Sequence, residues 1–482
     1  MNYKAVINVL AKTMIIEAFF MFLSMCVGFY YGEQTFISFL IPIAILLAIG
    51  VPFAFLKYNS NNIRAKEGFV IVALVWIILS LFASFPFFIG GHIPNFFNAF
   101  FEATSGLTTT GATILNDIEA LPKSILFWRS FTHWIGGMGV LVFILALIPS
   151  DNGAMHIFKA ESPGPSVGKF VSKLKHTARI LYSIYIALTI LEIIALLIAG
   201  MGLYDSVVHS LATAGTGGFS VKQAGISYYN SVAIEVIITL FMFIFGVNFN
   251  VFYLILCGQV VKAIKSEEFI TYLIVLLFAI IAIAINLLSV YNDFWTALRY
   301  SSFQVVSISS TTGFATADFN TWPVFSQIII IFLMIMGACG GSTGGGVKVS
   351  RMLILGKSSY ANFKNLTSPR QVLTIRLENE KLSNEIVNNV KTYIIFWAVI
   401  LFIVTLMISI DSFYGADFFT HFSASLTCIG NVGPGFNGVG PMSNFANYSW
   451  FSKLILSFEM LIGRLEIFPM FILFSPRVWK GK

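Results

Sequence analysis

Hydrophobic residues in this sequence occur in long uninterrupted segments rather than in short alternating ones. Ten such segments, each of roughly 20 residues, are long enough to cross a bilayer as helices. They lie near residues 13–32, 36–56, 68–90, 125–149, 180–200, 229–257, 269–290, 324–350, 391–411 and 450–474. A membrane barrel would instead show segments of about ten residues with alternating polarity. The pattern therefore predicts an all-α integral membrane protein with ten transmembrane helices.

The first two segments are joined by a short turn, and the other eight form pairs with a similar insert inside each pair. Each insert has an Asn or Asp among aromatic residues near its start, then a half-length apolar stretch, and ends in a cluster of Thr, Ser and Gly. The four inserts read FFNAFFEATSGLTTTGATIL, LYDSVVHSLATAGTGGFSV, NDFWTALRYSSFQVVSISSTTGFATADF and GADFFTHFSASLTCIGNVGPGF. The repetition predicts an N-terminal transmembrane hairpin at 1–66 and four pore repeats at 67–165, 166–265, 266–375 and 376–482.

The apolar stretch inside each insert is too short to cross the membrane. About twelve residues of helix cover roughly 18 Å, against a hydrocarbon core of about 30 Å. The chain must therefore enter the membrane and turn back, and non-helical backbone at that depth survives only where it is buried or lines an aqueous path. Four such loops around one axis form a pore. Alignment of the inserts places Gly111, Gly217, Gly313 and Gly433 at the equivalent position.

The chemistry of these loops favours a cation. Rings of backbone carbonyls can replace the water shell of an ion, and glycine allows the backbone angles that point successive carbonyls inward. The short helices also direct their partially negative C-terminal ends towards the centre. The candidate filter residues are Thr109, Thr110, Gly111, Gly215, Thr216, Gly217, Thr311, Thr312, Gly313, Asn431, Val432 and Gly433. Glycine-rich helix packing would explain one such loop, but not its fourfold recurrence between paired spans.

Composition and charge agree with a membrane protein and exclude several other classes. Hydrophobic residues make up 57% and charged residues 11%, against about 25% charged in soluble domains. Most of the 29 Lys and Arg fall on one side if both termini are cytoplasmic, so the net charge of +7 reflects topology and needs no nucleic acid partner. The four cysteines are far apart and indicate neither a metal site nor disulfides. The sequence has no HExxH motif or paired aspartates, which argues against an intramembrane enzyme.

Two further features lie inside predicted spans. The stretch GACGGSTGGGVK at Gly337–Lys348 holds six glycines, and each costs about 1 kcal/mol against alanine in a helix. It cannot be a straight helix, and a flexible linker is the alternative to a functional loop. Arg464 lies in LIGRLEIFP in the last span, where an arginine faces a cavity or a partner. A buried ion pair with Glu459 or Glu466 is the structural alternative.

The four loops, and TTTGAT in particular, resemble those of the Trk/Ktr/HKT superfamily of potassium transporters, and the N-terminal hairpin is typical of its TrkH branch. The resemblance covers essentially the whole chain and implies uptake of K⁺, since a serine at the position of Gly111 accompanies Na⁺ permeation in this superfamily. It also implies a bacterial inner-membrane location among lipids, a homodimer with one pore per chain, and a cytosolic ring of nucleotide-binding regulatory subunits. K⁺ is then the transported ion, and no organic cofactor is expected on the chain. The fourth loop departs from the pattern because Val432 replaces the threonine before the glycine.

The resemblance also assigns a gate. The glycine-rich stretch resembles an intramembrane loop beneath the filter, and Arg464 is expected to project into the permeation path as a positive barrier. The residues assigned to gating in this way are Gly340, Gly341, Gly344, Gly345, Gly346, Lys348 and Arg464. A Na⁺-permeable or ion-coupled transporter remains an alternative, as does a structural or sensory membrane protein with a vestigial pore.

Overall fold

The computed structural model describes residues 1–56, 65–139, 174–368, 374–378, 380–413 and 416–479. These residues form helices and a single two-stranded antiparallel hairpin. The chain is an all-α integral membrane protein, as the sequence predicts. The predicted repeat boundary at 165/166 and the end of the span predicted at 125–149 lie outside the described residues.

The N-terminal hairpin consists of α1 (Tyr3–Tyr31) and α2 (Phe36–Ala54). Helix α1 begins well before the predicted position 13 and ends at Gly32, whose φ of 68° reverses the chain. Left-handed backbone of this kind is readily adopted by glycine, which is why the helix ends there. Between the two helices, Glu33 accepts hydrogen bonds from the backbone N–H groups of Lys123 at 2.6 Å and Ser124 at 3.0 Å. The hairpin is thereby attached to the first repeat.

The remaining helices follow the order of the four predicted repeats. The first contains α3 (Ala65–Ala83), α4 (Phe85–Ile89), α5 (Phe96–Leu107) and α6 (Lys123–Gly137). The second contains α7 (Leu174–Ile198), α8 (Leu203–Gly215), α9 (Val232–Gly246), α10 (Phe249–Leu256) and α11 (Val260–Ile264). The third contains α12 (Glu267–Asn286), α13 (Leu288–Tyr291), α14 (Phe294–Ser309), α15 (Val324–Met336) and α16 (Val349–Thr367). The fourth contains α17 (Asn384–Ile408), α18 (Phe418–Gly430), α19 (Trp450–Arg464), α20 (Phe468–Leu473) and α21 (Pro476–Trp479).

Shorter elements connect these helices. Within the described residues, short 3₁₀ helices occupy Gly225–Tyr229, Phe319–Thr321 and Asn437–Val439. The strands β1 (Arg376–Leu377) and β2 (Glu380–Lys381) pair antiparallel between α16 and α17. The sequence analysis did not predict this hairpin.

The half-length helices are present in all four repeats. They are α5, α8, α14 and α18, called the pore helices below, and they contain 12, 13, 16 and 13 residues. Within the described ranges, six helices are long and apolar enough to cross a membrane without interruption. These six include the N-terminal hairpin and the helix that precedes each pore helix. The prediction of re-entrant segments between paired spans therefore agrees with the helix lengths.

In the second, third and fourth repeats, the helix that follows the pore helix is not a simple span. Helices α9 and α10 bend by 91° at Val247 and Asn248. The loop Gly337–Lys348 separates α15 from α16, and a short break separates α19 from α20. In the first repeat α6 ends at Gly137, shortly before the described residues stop. The sequence analysis predicted only the break in the third repeat.

The repeats are arranged in a closed ring. Helix α6 packs against pore helix α8 of the next repeat, α9 packs against α14, and α15 packs against α18. Helix α19 of the last repeat packs against α5 of the first, which completes the circle. All four pore helices therefore surround one axis.

Candidate cation-conducting site

The pore helices begin at side chains that satisfy their free N–H groups. Asn95 accepts from Phe97 N–H at 2.9 Å, Asp293 accepts from Thr296 N–H at 2.8 Å, and Asp417 accepts from Thr420 N–H at 2.7 Å. This explains the Asp near the start of the third and fourth inserts, since Asp and Asn are preferred N-caps. In the first repeat the cap is Asn95, which directly precedes the insert, and not the Asn98 within it. In the second repeat Gly202 occupies the cap, and Asp205 instead accepts from the Tyr229 hydroxyl.

At the opposite end, each pore helix stops in the same way. One residue adopts the left-handed conformation, and the N–H of the next residue bonds back into the helix at 2.9 Å. The left-handed residues are Thr109, Thr216, Thr311 and Asn431, with φ values of 57°, 55°, 60° and 51°. The N–H donors that follow them belong to Thr110, Gly217, Thr312 and Val432. Because these N–H groups donate to carbonyls of their own pore helices, they do not point towards the centre of the ring.

A glycine follows in every loop, and together these glycines close a ring. The four are Gly111, Gly218, Gly313 and Gly433, with φ values of 81°, 74°, 82° and 104°. A Cβ atom on each would collide with a backbone carbonyl oxygen of the adjacent loop. Taken in order, those carbonyls belong to Gly217, Thr312, Val432 and Thr110. The absence of a side chain at each glycine thus leaves space for a carbonyl group of the adjacent loop. Because Gly433 of the fourth loop packs against the Thr110 carbonyl of the first, the four contacts form a closed circle.

This geometry corrects the alignment of the second loop. The sequence analysis placed Gly217 at the equivalent position, but Gly218 has the positive φ and faces the carbonyl of the next loop. Gly217 corresponds to Thr110, and a Cβ there would meet the ring of His133 instead. Gly215 is the last residue of α8 and lies one step before the loop. The sequence GTGG offers two candidate glycines, and only the left-handed turn at Thr216 decides between them.

Hydrogen bonds between hydroxyl groups stabilise the first and third loops. Thr108 and Thr110 share a hydrogen bond of 2.8 Å between their hydroxyls, and Ser310 and Thr312 form the same pair at 2.8 Å. The fourth loop has Val432 at this position, and the amide of Asn431 reaches across to the Thr110 hydroxyl at 2.9 Å. The departure seen in the sequence is therefore compensated by a contact between the fourth and first loops.

The two sides of the ring differ in access. A cavity of about 460 Å³ opens on one side, and all four ring glycines line it. We call this the outer cavity. The residues just beneath the glycines have no exposed surface; they are Thr109, Thr110, Thr216, Thr311, Thr312, Asn431 and Val432. Among the described residues, the ring glycines are therefore open to the outer cavity, while the residues just beneath them are closed to solvent.

The glycine-rich loop Gly337–Lys348 lies on the other side of the ring. The N–H of Gly345 donates to the Thr311 hydroxyl at 2.7 Å, and the N–H of Gly346 donates to the Gly430 carbonyl at 2.9 Å. We call this segment the intramembrane loop. It lies in direct contact with the residues beneath the ring, and the loop's glycines line a cavity of about 150 Å³ together with Lys348 and Arg464.

Arg464 joins the intramembrane loop to its surroundings. Its guanidinium donates to the Thr343 carbonyl at 2.7 Å, and to the carbonyls of Gly136 and Gly137 at 2.5 and 2.7 Å. It also lies 3.3 Å from the Thr109 hydroxyl. The side chain therefore touches the loop, the end of α6 and the first pore loop together.

The other charged groups of the last span have partners of their own. Glu466 pairs with Arg351, and Glu459 accepts from the Ser425 hydroxyl at 2.6 Å. Lys348 donates to the Gly344 carbonyl at 2.9 Å, so its ammonium group folds back onto the loop. Lys348 and Arg464 therefore both donate hydrogen bonds to backbone carbonyls of the intramembrane loop.

Two buried acidic residues near the loops were missed by the sequence analysis. Glu102 forms an ion pair with Arg129 at 2.6 Å and accepts from Ile114 N–H at 3.0 Å, while Arg129 donates to the Ser220 carbonyl at 3.1 Å. This ion pair connects the first loop to the second, because Glu102 bonds to Ile114 and Arg129 bonds to Ser220. The second residue, Glu268, contacts the intramembrane loop. Arg129 could have been noticed, because it is an arginine within an apolar span.

A closed ring of four re-entrant loops, set in an all-helical membrane domain, is the architecture of a cation transporter built from pore repeats. The chain belongs to the TrkH family of cation transport proteins, whose sequence profile matches residues 34–480. It is 35% identical over 100% of both chains to the Trk system potassium uptake protein TrkH of Salmonella typhimurium, and 32% identical over 95% of this chain and 94% of the other to TrkG of Escherichia coli. The crystal structure of the potassium transporter TrkH from Vibrio parahaemolyticus matches 100% of both chains with a TM-score of 0.89 and 32% identity.

Proposed function

We propose that this chain carries K⁺ into the cell through the ring of four pore loops. The observation that supports this most directly is the circular contact in which each ring glycine packs against a carbonyl of the next loop. The names of the relatives, which are potassium uptake proteins, point to the same ion. The proposed filter comprises the twelve residues predicted from sequence, with Gly218 in addition and Gly215 as the end of its pore helix.

The chemistry of the ring fits a dehydrated monovalent cation. Carbonyl oxygens from four loops can replace water without adding a fixed charge, so an ion binds and is still released. The C-terminal ends of the pore helices add partial negative charge near the ring. Serine in place of the ring glycine would insert a Cβ against a neighbouring carbonyl and change the spacing of the oxygens. All four loops retain glycine, which favours K⁺ over Na⁺.

We propose that the intramembrane loop is the gate. Its residues Gly340, Gly341, Gly344, Gly345, Gly346 and Lys348 form or flank the backbone that lies under the ring. Arg464 would hold the loop there and add a positive charge to the path below the ring. Glycine suits a segment that must leave this position and return, because its backbone has the fewest steric limits.

The remaining proposals concern topology and assembly. The distribution of Lys and Arg supports an orientation with both termini in the cytoplasm. Resemblance to the family supports a bacterial inner-membrane location. Resemblance to the family supports a homodimer and a cytosolic ring of nucleotide-binding regulatory subunits. The chain's own cytoplasmic segments are short, so regulation by nucleotide would come from such a separate subunit.

Cation flux into liposomes containing the purified chain tests the proposal. K⁺, Rb⁺, Na⁺ and Li⁺ are compared one at a time, and empty liposomes provide the background. Uptake of K⁺ and Rb⁺ well above Na⁺ and Li⁺ is expected. Equal uptake of all four would contradict the selectivity of the ring, and absence of uptake even with the nucleotide-binding subunits present would contradict conduction.

A second measurement separates simple conduction from coupled transport. A K⁺ gradient is imposed while pH and Na⁺ are equal on both sides of the liposome membrane. We expect K⁺ to move down this gradient alone. Movement that requires an added proton or Na⁺ gradient would instead identify an ion-coupled transporter.

A further inference from the structure

A buried carboxylate fastens both ends of the intramembrane loop. Glu268 lies in the first turn of α12 and is 6% exposed. One of its oxygens, Oε1, accepts from the backbone N–H of Gly340 at 2.7 Å and from that of Ser350 at 3.0 Å. Gly340 lies before the part of the loop that touches the ring, and Ser350 lies after it in the first turn of α16. A single side chain therefore holds the entry and the exit of the loop.

The second oxygen connects the same side chain to the bend of the second repeat. Oε2 lies 3.5 Å from the amide nitrogen of Asn248, which caps α10. The next residue, Phe249, donates its N–H to the carbonyl of Gly341 at 3.1 Å. The bend between α9 and α10 thus presents a side chain to Glu268 and a backbone donor to the loop.

The β hairpin holds the helical turn that carries Glu268. On the hairpin, Glu378 accepts from the hydroxyl of Ser266 at 2.7 Å and from the N–H of Glu268 at 3.3 Å. Its neighbour Leu377 is buried with Ile354 of α16 in one apolar cluster. The hairpin is therefore in contact with both helices that meet at the Glu268 carboxylate.

We propose that Glu268 is a positioning residue that keeps the intramembrane loop under the ring, and that Glu378 orients it from the hairpin. This inference rests on the proposed function of the loop as a gate. Buried N–H groups are costly to leave without an acceptor, and a carboxylate is a stronger acceptor than a neutral group. While Glu268 is in place, the closed loop satisfies two such groups at once. A displacement of the hairpin moves this acceptor away and favours release of the loop.

The inference is tested with K⁺ flux into liposomes for Glu268→Ala, Glu268→Gln and the matched control Glu267→Ala. Glu267 lies in the same helical turn, has a 37% exposed side chain and pairs with Lys357 rather than with the loop. We expect Glu268→Ala to raise flux about tenfold, equivalent to about 1.4 kcal/mol, and Glu268→Gln to raise it about threefold. Glu267→Ala should stay within about twofold of the unmodified protein. The ratio of K⁺ to Na⁺ flux should not change in any variant.

The double variant Glu268→Ala with Arg464→Ala distinguishes the loss of a specific contact that holds the intramembrane loop from general damage to the fold. If both residues hold the same loop, the combined increase in flux should be smaller than the product of the two single effects. Flux in Glu268→Ala equal to that in Glu267→Ala would overturn the inference. Should the alanine variant fail to fold, an unchanged flux in Glu268→Gln would overturn it as well. Increased flux in Arg464→Ala without any effect at Glu268 would reject the positioning role of Glu268 and leave the proposed gate intact. No flux in any protein, even with the nucleotide-binding subunits present, would reject the proposed function.

Discussion

Gly217 and Gly218 are identical in chemistry but differ in what surrounds them. The Cβ position of Gly218 points at the Thr312 carbonyl of the third loop, while that of Gly217 points at the His133 ring. Sequence alignment cannot separate two adjacent glycines, because the difference lies in the backbone angle and not in the side chain. The triplet Thr216–Gly218 is therefore the unit to compare with Thr109–Gly111.

Serine substitutions of the ring glycines test this equivalence. We expect Gly111→Ser and Gly218→Ser each to raise Na⁺ flux relative to K⁺ flux by about tenfold, because the added Cβ displaces a carbonyl of the adjacent loop. Gly356→Ser is the control, since a Cβ at Gly356 meets no atom within 4 Å. The flux ratio in liposomes measures the effect. An altered ratio for Gly111→Ser but not for Gly218→Ser would contradict the revised alignment.

Arg464 contributes both charge and hydrogen bonds, and two substitutions separate them. We expect Arg464→Ala to raise K⁺ flux about tenfold at unchanged selectivity, since both the positive charge and the bonds to Thr343, Gly136 and Gly137 are lost. Lysine keeps the charge but lacks the planar set of donors, so Arg464→Lys should give a smaller increase. If neither variant changes flux, Arg464 has a structural role only.

At the level of elements, the pore helices were predictable and the breaks in the following helices were mostly not. Each pore helix has a local signature, with an N-cap in three of the four, a half-length apolar segment and a glycine. The bend between α9 and α10 follows Gly246, whose Cβ position lies 3.3 Å from Ser310 at the end of a pore helix. That contact joins two repeats, and a single glycine in an apolar run gives no indication of it. Glu268 was missed because acidic residues in the first turn of a helix are common, so the sequence alone does not distinguish it from Glu267.

The caps of the pore helices give a prediction at this scale. Burial alone would raise the pKa of Asp417, but hydrogen bonds from Thr420 outweigh it and hold the pKa of this carboxyl below its ordinary value. We expect Asp417→Ala to lower the free energy of unfolding by about 1 kcal/mol, as for other lost N-caps. Thermal unfolding of the detergent-solubilised protein measures the change.

Asp417→Asn is the matched control, because asparagine also caps helices. Since the pKa of Asp417 is lower in the folded protein, its charge stabilises the fold above the ordinary aspartate pKa of about 4. This contribution is lost as the pH falls through the lowered value. The difference in stability between the unmodified protein and the Asp417→Asn variant should therefore shrink in acid; a difference that grows there would contradict the assignment.

At the scale of the whole molecule, the ring and the N-terminal hairpin are separate parts. The hairpin packs against α3 and α6, and Glu33 accepts from the start of α6, but the circular contacts involve the four repeats alone. The sequence predicted this division from its repeats, because the two parts differ in whether they contain an insert. The closed ring and the position of the intramembrane loop depend on contacts between distant repeats, and these required the structure.

Deletion of residues 1–56 tests this division. Removal of two spans preserves the orientation of the rest, because an even number of crossings is lost. We expect a lower unfolding temperature, since α6 loses its contacts with α1 and with Glu33, and a ratio of K⁺ to Na⁺ flux within about twofold of that of the full chain. A large change in the ratio of K⁺ to Na⁺ flux would show that the N-terminal hairpin affects the geometry of the ring.

The contact between Gly433 and the Thr110 carbonyl has a consequence for how the protein is made. The two residues lie in the last and first repeats, so the ring cannot exist until nearly the whole chain has entered the membrane. A ribosome that stalls earlier leaves only part of the ring, without the fourth set of carbonyls. Arg464, the proposed positive barrier, follows soon after the fourth loop, so it is synthesised almost together with the last piece of the ring. Biogenesis of this protein therefore need not pass through a finished pore that has no means of closing.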